Sequence, residues 1–196
     1  MQRYTATDDA VDPVTGVLCN KAGLREQAAL DVFELESAGY RILEWDELPG
    51  ANSFDLSHLC ALHRHVFQDV YDWAGQIRNV DITRGNSRFA NVNQIESYAT
   101  KVFAGLKSED FLRGLPADRL ASRLAHYLSE INALHPFRDG NGRVQRVFIS
   151  QLASAAGFSW DYSAATREEM YTAMEAAFFG NEELLARLIA QNLTAL

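Results

Sequence analysis

At 196 residues with 47% hydrophobic content, the chain is long enough to form one ordinary domain with a substantial core. Its formal net charge of −8, with no basic run, argues against nucleic acid or an anionic membrane surface as the main partner. Cys19 and Cys60 are far apart with no Cys-x-x-Cys, which favours reduced thiols over a disulfide or a metal site. No apolar run approaches about eighteen residues and no signal-peptide pattern opens the chain, so a cytoplasmic location is expected.

Residues 1–20 read as an irregular arm, with turn chemistry at Asp12-Pro13-Val14-Thr15-Gly16. A single domain is expected over 21–196. A first helix is expected from Leu24, with Leu24, Ala28, Val32 and Leu35 on its apolar stripe and Gly39 as its stop. Leu48-Pro49-Gly50-Ala51-Asn52 is a loop, after which Ser53 or Asp55 caps a second helix with Leu56, Leu59, Leu62, Val66 and Phe67 on one side. That helix carries His58, His63 and His65. With no His-Glu-x-x-His and no acidic helper, they read as solvated or partly packed rings and not as zinc ligands.

After Tyr71-Asp72-Trp73-Ala74-Gly75 the period changes. Val80, Ile82 and the stretch to Val92 alternate as strands around a Thr83–Ser87 turn, which predicts a β-hairpin over about 80–91. Such a hairpin must pack on helices, and its outer edge is free to accept an extended peptide. A helix over 94–106 follows, with Asn93 as its cap, and Leu115-Pro116 then breaks the chain before another start near Asp118. Leu120, Leu124, Leu128 and Ile131 make a strong stripe running into His135. Two more helices are expected over 168–179 and 182–193, joined at Gly180-Asn181.

The densest chemistry lies in His135-Pro136-Phe137-Arg138-Asp139-Gly140-Asn141-Gly142-Arg143-Val144-Gln145-Arg146. Pro136 ends the preceding helix and leaves the imidazole at its mouth, where it suits a general base near neutral pH. Gly140-Asn141-Gly142 opens the next helix, so its amides form an anion cradle strengthened by the helix dipole. Arg143 and Arg146 are three apart and are expected to point at the same anion. Two guanidinium groups beside an amide cradle imply a polyphosphate. One carboxylate, Asp139, is enough for Mg²⁺ held otherwise by water and phosphate oxygens. The stretch is neither a Walker loop nor a dinucleotide-binding turn.

At this motif the chain resembles the Fic (filamentation induced by cAMP) family, whose signature His-Pro-Phe-x-Asp/Glu-Gly-Asn-Gly-Arg-x-x-Arg it matches throughout 135–146. With Asp72-Trp73-Ala74-Gly75, the hairpin and the helices over 115–193, it is similar to the compact toxin branch of that family and to catalytic domains of some type IV secretion substrates. The resemblance implies an all-α Fic fold of about six to eight helices, with one β-hairpin flap as the only sheet. The implied activity is protein adenylyltransfer: AMP moves from ATP to a hydroxyl on a Ser, Thr or Tyr of a target protein. The implied alternatives are transfer of another phosphate-containing group, or a catalytically degenerate nucleotide-binding module.

By the same resemblance His135 is the catalytic base and Asp139 the Mg²⁺ ligand. Gly140, Asn141, Gly142, Arg143 and Arg146 take the phosphates, and Arg88 with Phe89 contacts the nucleotide. Asp81, Ile82, Thr83 and Arg84 form the target-docking flap, and Phe137 anchors the loop. Asn181 either faces the adenine or caps the helix after it. Many relatives carry an inhibitory Ser/Thr-x-x-x-Glu-Gly/Asn helix, but no glutamate here has Ser or Thr four residues before it. A small antitoxin that supplies a Glu to Arg146 in trans is therefore expected. Type II topoisomerase subunits are candidate targets by the same analogy.

Overall fold

The computed structural model describes residues 9–47, 53–85 and 87–196. The predicted loop at 48–52, the start of the arm and Asn86 of the hairpin turn lie outside them. Among the described residues are seven α-helices and two small antiparallel sheets. No helix there is long and apolar enough to cross a membrane.

The first helix, α1 (Gln27–Glu47), runs through Gly39 instead of stopping there. A mid-helix glycine costs only about 1 kcal/mol relative to alanine, and tertiary packing overrides that. Its buried face also differs from the predicted stripe. Leu30, Glu34 and Ala38 point inward, four apart, while Val32 and Leu35 are 57% and 68% exposed. A charged residue in the middle of the buried stripe hid that face from any reading of apolar periodicity.

Helix α2 (Leu56–Phe67) starts at Asp55, whose carboxylate accepts the His58 N–H at 2.8 Å. A short hairpin follows, β1 (Thr83–Arg84) with β2 (Ser87–Arg88) in the register Thr83↔Arg88, shorter than the predicted strands. Helix α3 (Ile95–Ser108) is entered through a 3₁₀ turn capped by Asn91, not by the predicted Asn93. Helix α4 (Ala117–Leu134) is the centre of the molecule, contacting α3, α5 (Asn141–Ala155), α6 (Arg167–Phe178) and α7 (Glu183–Gln191). Its predicted stripe of Leu120, Leu124, Leu128 and Ile131 is fully buried, each side chain contributing about 1.5–3 kcal/mol.

The hairpin is not the only sheet, contrary to the expectation. Strand β3 (Phe158–Trp160) after α5 pairs with β4 (Leu193–Ala195) after α7. It closes a loop of chain around α6 and α7. Three residues on each side are too few to give a readable alternation in sequence.

The corner between α4 and α5 positions everything else. Helix α4 ends at His135, which sits in the left-handed region at φ 44° and returns its N–H to the Ile131 carbonyl at 3.0 Å. Helix α5 starts from Gly140, also left-handed at φ 80°, pressed against the ring of Phe67. A Cβ there would lie 2.4 Å from that ring, inside any real contact distance. Gly142 has an ordinary helical φ, and its missing side chain instead keeps the helix mouth open. Gly140→Ala combines a disfavoured φ with overpacking and should lower the unfolding free energy by about 3 kcal/mol, measured by denaturant titration.

Candidate active site at the α4–α5 corner

A cavity of about 530 Å³ opens between the hairpin, the α4–α5 corner and α6, a size typical of small-molecule sites. Phe89, His135, Gly142, Arg146, Tyr162 and Met174 are among the residues on its wall. Arg84 of β1 reaches over it to Tyr171 of α6, with the guanidinium 5.3 Å from the ring centre.

His135 is 4% exposed, and its Nδ1 donates to the Asn132 carbonyl at 3.0 Å. In the neutral ring the lone pair therefore sits on Nε2. Burial pushes the imidazole pKa down to about 3, with Arg78 and Arg84 adding smaller pushes against the hydrogen bond to Asn132. The ring is a neutral base at any physiological pH. Phe89, on the wall of the cavity, stacks on it at 3.7 Å between centroids.

The loop between the two helices is braced from three sides. Asn141 accepts the Phe137 N–H at 2.9 Å and donates to the Phe137 carbonyl at 2.8 Å, so its side chain fastens the loop and the cradle consists of backbone. Phe137 is 1% exposed, as an anchor should be. His63, predicted as solvated or partly packed, is fully buried and stacks on Phe137 at 3.9 Å. The Gly75 N–H donates to its Nδ1 at 2.9 Å, so the proton is on Nε2, which donates to the Asp139 carbonyl at 3.0 Å. Burial holds this ring neutral as well, at about 4. The signal in sequence was Gly75, where a Cβ would come 2.6 Å from that of Arg64, but its partner His63 could not be read from spacing.

Arg143 and Arg146 lie in different surroundings. Arg143 turns toward α1, where it pairs with Glu34 and lies over Phe67 at 4.7 Å. Glu34 is 2% exposed and also accepts from the Tyr71 hydroxyl; burial and that carboxylate push the phenol's pKa far up. Arg146 faces the cavity over Tyr162 at 5.9 Å, with no ion pair among the described residues. Burial lowers its pKa, the sign of a cation short of solvent and counter-charge. The amides of Asn141 and Gly142 at the mouth of α5 have no intramolecular acceptor among the described residues.

The predicted flap residues divide by direction. Arg88 is 74% exposed in its side chain and leans toward Asp81 at 3.8 Å, off the cavity wall. Asp81 accepts from the Val92 N–H and the Asn91 amide, tying the base of the hairpin. Ile82 is buried against Phe89, so only Thr83 and Arg84 present a free edge. Asn181 caps α7 through the Glu183 N–H. Asp139 is 5% exposed and accepts the Gly140 N–H at 2.6 Å. No cluster of three or more metal-ligating side chains exists among the described residues, so a cation at Asp139 would need its other ligands from water or substrate. That donor set fits Mg²⁺.

Comparison with known proteins agrees with this geometry. The model of the Fic/DOC family matches residues 53–153, from the cap of α2 to the end of α5. "Protein adenylyltransferase VbhT" of Bartonella schoenbuchensis is 44% identical over 195 residues, covering 99% of this chain and 41% of that protein. "Probable protein adenylyltransferase Fic" of Salmonella typhimurium is 36% identical over 179 residues, 89% of this chain and 86% of that one. The crystal structure of BepC of Bartonella tribocorum, with bound AMPPNP, superposes with a TM-score of 0.89 at 25% identity, covering 96% and 97% of the two chains. With its motif, its hairpin and its helical frame all matched, the chain belongs to the Fic/DOC family.

Proposed function

We propose that the protein is an adenylyltransferase that moves AMP from ATP to a Ser, Thr or Tyr hydroxyl of another protein. The observation that carries this reading is Arg146: a partly desolvated guanidinium with no counter-ion among the described residues, in a cavity that also holds a neutral His135 and the open mouth of α5. A half-buried cation with no ion-pair partner among the described residues is unfavourable, and a polyphosphate is the anion that fits both it and the amides. The AMPPNP bound to BepC and the names of the relatives support the same substrate.

In this mechanism the amides of Asn141 and Gly142 bind the inner phosphates and Arg146 takes the γ-phosphate, which sets the α-phosphate in line. His135 Nε2 accepts the proton of the target hydroxyl as that oxygen attacks the α-phosphorus. The bond from the α-phosphorus to the bridging oxygen breaks, and pyrophosphate leaves. Asp139 would hold Mg²⁺, which supplies charge neutralisation at the phosphate oxygens. Arg143, held by Glu34, adds positive charge from behind the cradle and fixes the first turn of α5. Thr83 and Arg84 offer the hairpin edge on which an extended target segment docks. Positioning and electrostatics account for most of the rate in such transfers.

We further propose that the protein acts as the toxin of a pair whose small antitoxin brings a glutamate to Arg146, with type II topoisomerase subunits as candidate targets. The case for trans inhibition is that no glutamate in the chain follows the inhibitory pattern and no carboxylate pairs with Arg146 among the described residues.

Incubation of the protein with a bacterial lysate and ATP labelled at either the α or the γ position tests the reaction. Label should enter protein only from the α position, and His135→Ala should slow it by about 10²-fold or more. Label from the γ position would mean phosphate transfer, and none from either a binding module. The pH profile of kcat/KM is a second check. His135 is active when neutral, so its own protonation takes activity away only as pH drops through about 3. Initial rates at low ATP should lack an acid limb near pH 6.5 and stay flat from about pH 8 to 5, since kcat/KM reports the free enzyme.

A further inference from the structure

We propose that Arg78 is the positioning residue that sets the hairpin against the base. Its side chain is fully buried, with Asp81, the nearest carboxylate oxygen, 3.8 Å away. Its donors go to three main-chain carbonyls instead. Nη1 donates to Val80 at 2.7 Å, Nη2 to Ala90 at 2.5 Å, and Nε to His135 at 2.9 Å. Val80 and Ala90 are the two feet of the hairpin, and His135 is the left-handed residue that carries the base. The backbone N–H of Arg78 donates to the Pro136 carbonyl at 2.9 Å, and the Ala90 N–H donates to the Ala133 carbonyl at the same distance.

One rigid fork therefore measures the distance between the element that presents a target hydroxyl and the ring that deprotonates it. A guanidinium has the planar, multiply donating geometry for three separated acceptors; an ammonium on a flexible stem does not. Burial lowers the pKa of this arginine, a cost that a role in packing alone would not require. The nucleotide-binding groups, Arg146 and the amides at the mouth of α5, make no hydrogen bond to Arg78. Loosening the fork should harm the alignment of hydroxyl and base while leaving nucleotide binding intact. An error of about 1 Å at such a point costs on the order of 10²-fold in rate.

The role in catalysis rests on the adenylyltransferase reading; the coupling of the two segments does not. Arg78→Lys is expected to bind AMPPNP within about threefold of the native protein, by calorimetry, with an unchanged KM for ATP. Its rate of lysate labelling from α-labelled ATP at saturation should fall by about 10- to 100-fold. A rate within twofold of native, or an affinity for AMPPNP that falls in proportion to the rate, overturns the proposal. Amide hydrogen exchange on the native protein gives a measure that needs neither activity nor a folded variant. Residues 80–90 and 133–137 should share one opening free energy, distinct from the core of α4, and separate values overturn the proposal. If the native protein labels nothing, the adenylyltransferase reading fails, and shared or separate opening alone decides whether Arg78 couples the two segments.

Discussion

The active-site geometry depends on one backbone constraint, the left-handed turn at His135. A non-glycine residue at positive φ is held there only by its surroundings, and here the surroundings are specific. Pro136 forbids the helix from continuing, Ile131 takes the returning amide, and Arg78 pins the carbonyl. The consequence is a ring turned back into the end of α4, with Nδ1 committed to Asn132 and Nε2 left as the basic nitrogen. Tautomer and orientation are thus fixed by the main chain before any substrate arrives, the kind of preorganisation a proton acceptor needs.

The same corner separates two arginines that sequence places together. Three residues apart on α5, they are about 60° apart around the helix axis, enough for different environments. Arg143 is paired with Glu34 from a helix 109 positions earlier, while Arg146 has an aromatic contact and no ion pair among the described residues. One holds the helix in place and the other carries the unmet charge. The difference lies in tertiary structure, and no local rule distinguishes them.

What was legible in sequence is what is contiguous. The motif over 135–146 lies in one stretch, so its loop, its helix start and the place of His135 at the end of α4 could be read from local rules. The stripe of α4 could be read because it is uniformly apolar. The buried face of α1 could not be, because Glu34 interrupts it and the residue that compensates it is distant. His63 and Arg78 carry ordinary polar side chains with no motif around them. Their roles come from carbonyls of the corner, which only folding brings near. Arg88 and Phe89 are neighbours in sequence, yet Arg88 at the end of β2 points outward and Phe89 just after it lies on His135.

The pairing of Phe158–Trp160 with Leu193–Ala195 bears on the opposite side of the cavity. The chain enters helices α6 and α7, both packed on α4, from one strand and leaves them into its partner, like a buckled strap, with Thr166 and Glu169 locking the first turn of α6 by reciprocal hydrogen bonds. The wall that carries Met174 and Tyr171 is therefore shaped in advance. A wall tied down in this way leaves less chain to be ordered when a molecule settles against it, which favours discrimination by contour over adaptation.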